Sequence, residues 1–174
     1  MAWTTPHNWE PNELVTAALL NTHLKDNLNF LYNAPGARIY NSANLSVSSG
    51  GSGLLLTFDS ERYDTDSIHD PGQSARLTCK TAGKYLISGH VLFAANATGY
   101  RGLIIRLNGS ATLAIMRTPA LGASDYPILS IATVYNLNVN DYVELIAEQN
   151  SGTALTLYAW THYSLEFAMH WLGA

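Results

Sequence analysis

The stretch Tyr85-Leu86-Ile87-Ser88-Gly89-His90-Val91-Leu92-Phe93 decides the fold class. Tyr85, Ile87, Gly89, Val91 and Phe93 fall on one side of a two-residue period; Leu86, Ser88, His90 and Leu92 fall on the other. That is the period of a β-strand, whose successive side chains point to opposite faces. The alternation recurs at Leu103, Ile105 and Leu107, at Val143, Leu145 and Ala147, and at Leu165, Phe167, Met169 and Trp171. Asn108-Gly109 follows the second of these runs as a hairpin-type turn. Repeated short strands with turn signals between them predict an all-β sandwich or barrel over residues 37–174. Ser48 to Gly53, all serine and glycine, reads as a flexible surface loop.

Several runs carry large apolar residues on both faces. Between Tyr126 and Tyr135, Ile128 and Val134 lie on one side and Leu129, Ile131 and Tyr135 on the other. A sheet wetted on its outer face does not tolerate that pattern, so a second covered face is expected, and self-association covers it most simply. Composition agrees. Apolar residues make up 47% and charged residues only 13%, about half the usual charged share. Nine Lys and Arg stand against thirteen Asp and Glu, giving a formal charge of -4, and no basic stripe forms. This argues against nucleic acid as a partner. No apolar run approaches the roughly 18 residues of a membrane span, so membrane insertion is not expected. The first residues lack the basic and apolar regions of a signal peptide. A single cysteine, Cys79, leaves no internal disulfide framework.

Residues 1–36 read differently. Trp3, Trp9, Pro6 and Pro11 mark an extended arm, because proline lacks the N–H and biases its predecessor away from helix. A helix is predicted from about Thr16, a suitable N-cap, to Tyr32. Leu20, Leu24, Leu28 and Leu31 form one apolar stripe along it. Asn33-Ala34-Pro35-Gly36 stops it. A helix of this length is marginal alone in water and must pack on something. Trp3, Trp9 and the four leucines are therefore the expected attachment residues.

The residues that carry chemistry assemble no recognisable site. The six histidines show neither zinc spacing nor a cysteine pair. Asp64, Asp66 and Asp70, with His69, form the one dense group of oxygen ligands, but the spacing is no EF-hand. No metal, cofactor or catalytic residue is expected. Cys79 reads as a buried, inert thiol. Tyr158, Trp160 and Tyr163 form an aromatic group near the C-terminus that suits a sugar or protein ligand. The competing reading places Trp160 and Trp171 in the core or a trimer seam.

Two resemblances sharpen these expectations. Phe58-Asp59-Ser60-Glu61-Arg62-Tyr63-Asp64, the Ala82-Gly83-Lys84-Tyr85 strand entry, Leu107-Asn108-Gly109 and the aromatic last strand, in that order, resemble the tumour-necrosis-factor-like jelly roll in the branch containing complement globular heads. The resemblance covers about residues 37–172 and implies a jelly-roll sandwich that forms tight homotrimers through an apolar sheet face. Asn140 stands where that family usually has glycine before Asp141. The N-terminal stretches Trp3-Thr4-Thr5-Pro6, Glu13-Leu14-Val15-Thr16, Leu20-Asn21-Thr22-His23 and Asp26-Asn27-Leu28 resemble the N-terminal segment of tailed-bacteriophage virion proteins. That resemblance implies a non-enzymatic virion part, made in the host bacterial cytoplasm and bound to a major capsid or tail protein. The reading leans to capsid decoration or a head fibre, because 174 residues leave no shaft between anchor and head. A tail-fibre or receptor-binding role, with a host-surface glycan as ligand, is the alternative. A free carbohydrate- or protein-binding module is a second class, and an enzyme a third.

Overall fold

The computed structural model describes residues 3–51, 53–160 and 164–174. The described residues form twelve strands: β1 (Gly36–Tyr40), β2 (Leu45–Val47), β3 (Leu54–Leu55), β4 (Ser60–Asp64), β5 (Arg76–Thr78), β6 (Gly83–Leu92), β7 (Tyr100–Leu107), β8 (Ala111–Pro119), β9 (Ile128–Leu137), β10 (Tyr142–Gln149), β11 (Leu155–Leu157) and β12 (Glu166–Gly173). One sheet runs β4-β1-β12-β6-β9. The other runs β3-β10-β7-β8, with β5 also on β10, and β11-β2 makes a small third ladder. Every pairing is antiparallel, and chain neighbours such as β6 and β7 lie in opposite sheets. The architecture is a jelly-roll sandwich.

The alternating runs supply its core. Tyr85, Ile87, Val91, Leu103, Ile105, Val143, Leu145, Leu165, Phe167 and Met169 are all fully buried, and Phe58 stacks on Phe167 with ring centroids 5.9 Å apart. Asn108 and Gly109 both take positive φ, as the two central residues of a type I′ hairpin turn require. Asn140 takes φ 74°, which answers the departure from the family pattern. Asparagine is one of the few side chains that visits the left-handed region routinely, so it does the work of the usual glycine.

Cys79 is buried. Burial pushes its thiol up, and its S–H donates to the Thr81 carbonyl at 3.2 Å. The acidic loop is built into the turn between β4 and β5. The Asp64 carboxylate accepts the backbone N–H groups of Asp66, Ile68 and His69. Asp66 accepts the Thr81 hydroxyl, and Asp70 caps the short 3₁₀ turn Pro71–Gln73.

The predicted helix forms in three pieces: α1 (Ala17–Leu20), a π turn over Asn21–Lys25, and α2 (Asp26–Tyr32). Thr16 caps it by accepting the Leu19 N–H. Strand β1 begins at Gly36 itself, one residue before the expected boundary of the jelly roll. Among the described residues no helix is long and apolar enough to cross a membrane.

Candidate attachment face and ligand-binding cleft

The arm and helix form one strapped unit. The Asn27 amide grips Thr4 from both sides, accepting the Thr4 N–H at 3.0 Å and donating to the Thr4 carbonyl at 2.8 Å. The His23 ring hydrogen-bonds the Thr5 carbonyl at 3.2 Å. Trp3 packs on Phe30 with centroids 6.0 Å apart. Phe30 in turn meets Trp171 of β12 edge-on and is 2% exposed. Trp3 is half-buried, and its ring helps to tie the arm to the helix of its own chain. Phe30 lies off the leucine stripe and was missed in the sequence, and Asn27 entered there only through the resemblance, with no role of its own.

The same arrangement turns the leucines outward. Leu20, Leu24, Leu28 and Leu31 are 42%, 54%, 57% and 52% exposed, with Leu14, Val15, Trp9 and Tyr32 exposed beside them. The π turn is part of the reason. In an α-helix each four-residue step overshoots a full turn by about 40°. The wider π turn, closed by the Asp26 N–H on the Asn21 carbonyl, absorbs the overshoot between the early and late leucines. The result is an uncovered apolar row on a helix whose opposite side is fixed to the jelly roll.

The outer faces of the two sheets differ in kind. On the β10 sheet, Glu144 sits between Arg76 and Arg106, and Glu148 pairs with Arg117, so ion pairs flank the row Ile146, Ile104, Ile115, of which Ile115 is exposed. The outer face of the β6 sheet carries a row running His170, Leu86, Val134 across β12, β6 and β9. Leu86, Ile128, Val134 and Leu172 are exposed there; Leu121 and Tyr126 in the loop between β8 and β9 are exposed as well, and so is Tyr135, opposite Tyr85 on the edge strand β9. Of the expected faces of this strand, Ile128 and Val134 are exposed and Leu129 and Ile131 are buried, but Tyr135, expected with the buried pair, is 41% exposed. His170 hydrogen-bonds Tyr63 at 2.7 Å.

Beside β4 this face carries one charged knot. Glu166 is buried between Arg38 and Arg62 and also accepts the Ser164 hydroxyl. Burial alone raises the Glu166 carboxyl, but Arg38, Ser164 and Arg62 together outweigh it and hold the group below the usual carboxylate range.

The aromatic group comes together in part. The rings of Tyr158 and Trp160 lie 4.9 Å apart, and Tyr126 lies 5.7 Å from each. Tyr163 lies outside the described residues. Trp160 is 43% exposed and so lies outside the core of the single chain, whereas Trp171 is half-buried against Phe30. Tyr126 was missed because it lies far from the C-terminal aromatics in sequence. On its other side Trp160 borders a cleft of about 270 Å³ lined by Tyr40, Asn41, Ser42, Arg62, Ala159 and Ser164. The Arg62 guanidinium lies 4.1 Å over the Tyr40 ring.

Solved structures share this framework. The globular domain of a zebrafish complement 1qA protein matches 79% of this chain and 97% of its own at 15% identity, with a TM-score of 0.56. Murine APRIL matches 79% of this chain and 98% of its own at 15% identity and a TM-score of 0.61. The Eiger TNF of S. frugiperda matches 80% and 95% at 11% identity and a TM-score of 0.60. The fold is a tumour-necrosis-factor-like jelly roll. No family model and no curated protein matches the sequence. The matched shares of the solved structures leave about a fifth of this chain uncovered, and the jelly roll accounts for the part that is shared. Among the described residues no group of three His, Cys, Asp or Glu side chains is placed to hold a metal.

Proposed function

We propose that this chain is a non-enzymatic, trimeric surface protein of a bacteriophage virion, a capsid-decoration protein or head fibre docked by its N-terminal segment while the jelly roll projects. The observation that carries the reading is the uncovered row Leu20, Leu24, Leu28 and Leu31 on a helix that Asn27 ties to the arm and Phe30 joins to the jelly roll through Trp171. Each large side chain buried there contributes roughly 1.5–3 kcal/mol, so four leucines supply useful anchoring against a capsid or tail protein.

Self-association rests on the other uncovered surface. The β6-sheet face and the exposed Leu121, Tyr126 and Tyr135 beside β9 are different apolar patches, and two different patches that meet head to tail close into a ring where the rotation between copies closes. Three copies agree with the trimers that the family resemblance implies.

A tail-fibre or receptor-binding protein is the second reading. The exposed Trp160 beside Tyr126 and Tyr158 favours it. Cryo-electron microscopy of intact particles, with this chain carrying an affinity label, separates the two. Label distributed over the head supports decoration. Label at the tail supports receptor binding, and particles without label contradict both.

A further inference from the structure

We infer that the cavity between the end of α2 and the loop after β4 receives one basic side chain from the protein to which the helix docks. The inference rests on the docking reading and names the chemistry that its partner presents.

The cavity holds about 280 Å³, short of the roughly 300–1,000 Å³ of small-molecule pockets, which is room for one side chain. Phe30 and Pro35, both buried, form an apolar floor. Thr65 is a fixed wall, because its hydroxyl donates to the Ala34 carbonyl at 2.8 Å and accepts the Gly36 N–H at 2.9 Å. Asn29, Tyr32 and Asn33 line the helix side, and Asp66 the loop side. The described arm lies elsewhere. Trp3 and Thr4 rest on Phe30 and Asn27, and Asn29, two residues past Asn27, is on almost the opposite flank of the helix.

Charge selects a cation. Asp66 is the one charged residue in the lining, and no ion pair among the described residues uses it. Its Oδ2 accepts the Thr81 hydroxyl at 2.9 Å, and its Oδ1 takes no hydrogen bond among the described residues. The side-chain amides of Asn29 and Asn33 make none either, so their oxygens can turn inward. The helix end adds to this. The Asn33 N–H closes on the Asn29 carbonyl, but among the described residues no backbone N–H reaches the carbonyls of Phe30, Leu31 or Tyr32. Such orphan carbonyls carry partial negative charge and favour a cation. Arginine and lysine bring donors and no acceptor, on an apolar stem that suits the Phe30 and Pro35 floor.

Position assigns that side chain to the docking partner. Tyr32 follows Leu28 by four residues and Asn29 by three, so it stands between the leucine row and the cavity. Tyr32 is 93% exposed, with Leu28 and Leu31 exposed beside it. A surface that covers those leucines reaches over Tyr32 to the cavity mouth. The chain itself supplies no basic residue to the lining.

The test has two arms. In the first, the ¹⁵N-labelled full chain is titrated with N-acetyl-arginine amide and with its uncharged isostere, N-acetyl-citrulline amide. The arginine probe should shift the Asn29 and Asn33 side-chain amide resonances saturably at millimolar concentration, and the citrulline probe should not. In the second, rebinding to particles that lack this chain is measured at low salt. Asp66→Asn, which keeps an acceptor for Thr81, should lower occupancy about threefold or more. Asn33→Lys, which puts a cation into the cavity from within the chain, should lower it as well. Asp70→Asn removes the same charge from the same loop outside the cavity and should leave occupancy unchanged. Melting temperatures of the three variants should stay close to that of the unaltered chain. Full occupancy in Asp66→Asn and Asn33→Lys, with occupancy lost in Leu24→Asp with Leu28→Asp, would overturn the inference and leave the docking reading standing. Equal shifts with both probes, or none with either, would overturn it too. Full occupancy in the leucine variant removes the docking reading, and the probe titration then still decides whether the cavity takes a basic side chain.

Discussion

Phe30 on α2 meets Trp171 on β12 with ring centroids 4.9 Å apart and planes at 88°, and this contact joins the N-terminal unit to the end of the sandwich. Trp171 is held in turn: its backbone N–H donates to the Pro35 carbonyl, and its indole N–H to the Ala82 carbonyl. Gly83, at φ 148°, leaves room for the indole; a Cβ there would lie 2.3 Å from the indole nitrogen. Phe30→Ala should cost about 3 kcal/mol and speed amide hydrogen exchange across residues 17–32 while leaving β6 protected. Removing residues 1–33 should leave a folded jelly roll with a lowered melting temperature, read by circular dichroism. An unchanged helix in Phe30→Ala would show that the contact does not hold it.

Glu166 gives the protein an acid limit. Its carboxyl titrates lower in the folded chain than in the unfolded one, despite burial, because Arg38, Ser164 and Arg62 favour the charged form. The stability it contributes is present above the unfolded value, about 4.3, and is lost as pH falls through the lower folded value. Asp141, lowered by the Asn108 amide and by Asn138, acts with the same sign. Melting temperature should therefore drop on acidification below that range. Glu166→Gln should flatten the drop and cost about 1–3 kcal/mol at neutral pH. A variant with the same acid slope as the unaltered chain would remove Glu166 from this role.

The long strands and the helix cap were legible in the sequence, and the surfaces that matter were legible only in part. Alternation found β6, β7, β10 and β12 because each buries all or most of one face. It gave no separate sign of β2 or β3, which are three and two residues long and too short to show a period. The leucine stripe was visible, but the sequence could not show that Asn27 and Phe30 bind the other side of the helix and leave the stripe bare. The aromatic group was found by its C-terminal members alone. Tyr126 and Arg62 reach Trp160 through the fold, and no local pattern announces that.

The Asp64 loop should be indifferent to calcium. Three backbone N–H groups already occupy the Asp64 carboxylate, so it acts as the organiser of the turn. A chelator should leave the melting temperature unchanged, and Asp64→Ala should lower stability by about 1–3 kcal/mol. A fall of several degrees with chelator, restored by calcium, would show that a cation is bound there.

The apolar face of the β6 sheet should be where copies meet. Sedimentation equilibrium at micromolar concentration should return a mass near three chains for the unaltered protein. Leu86→Asp with Val134→Asp, cross-strand neighbours on that face, should shift it to one chain while β-type circular dichroism persists. A trimer that survives both changes would place the seam elsewhere.

The most direct measurement is rebinding to particles that lack this chain. Purified protein is added back to them, the particles are pelleted, and occupancy is quantified by mass spectrometry. Leu24→Asp with Leu28→Asp changes two exposed residues of the leucine row, so melting temperature and trimer mass should stay as they are. Occupancy should fall at least tenfold. If the double variant decorates particles as fully as the unaltered chain, the helix is not the anchor and the central proposal is wrong.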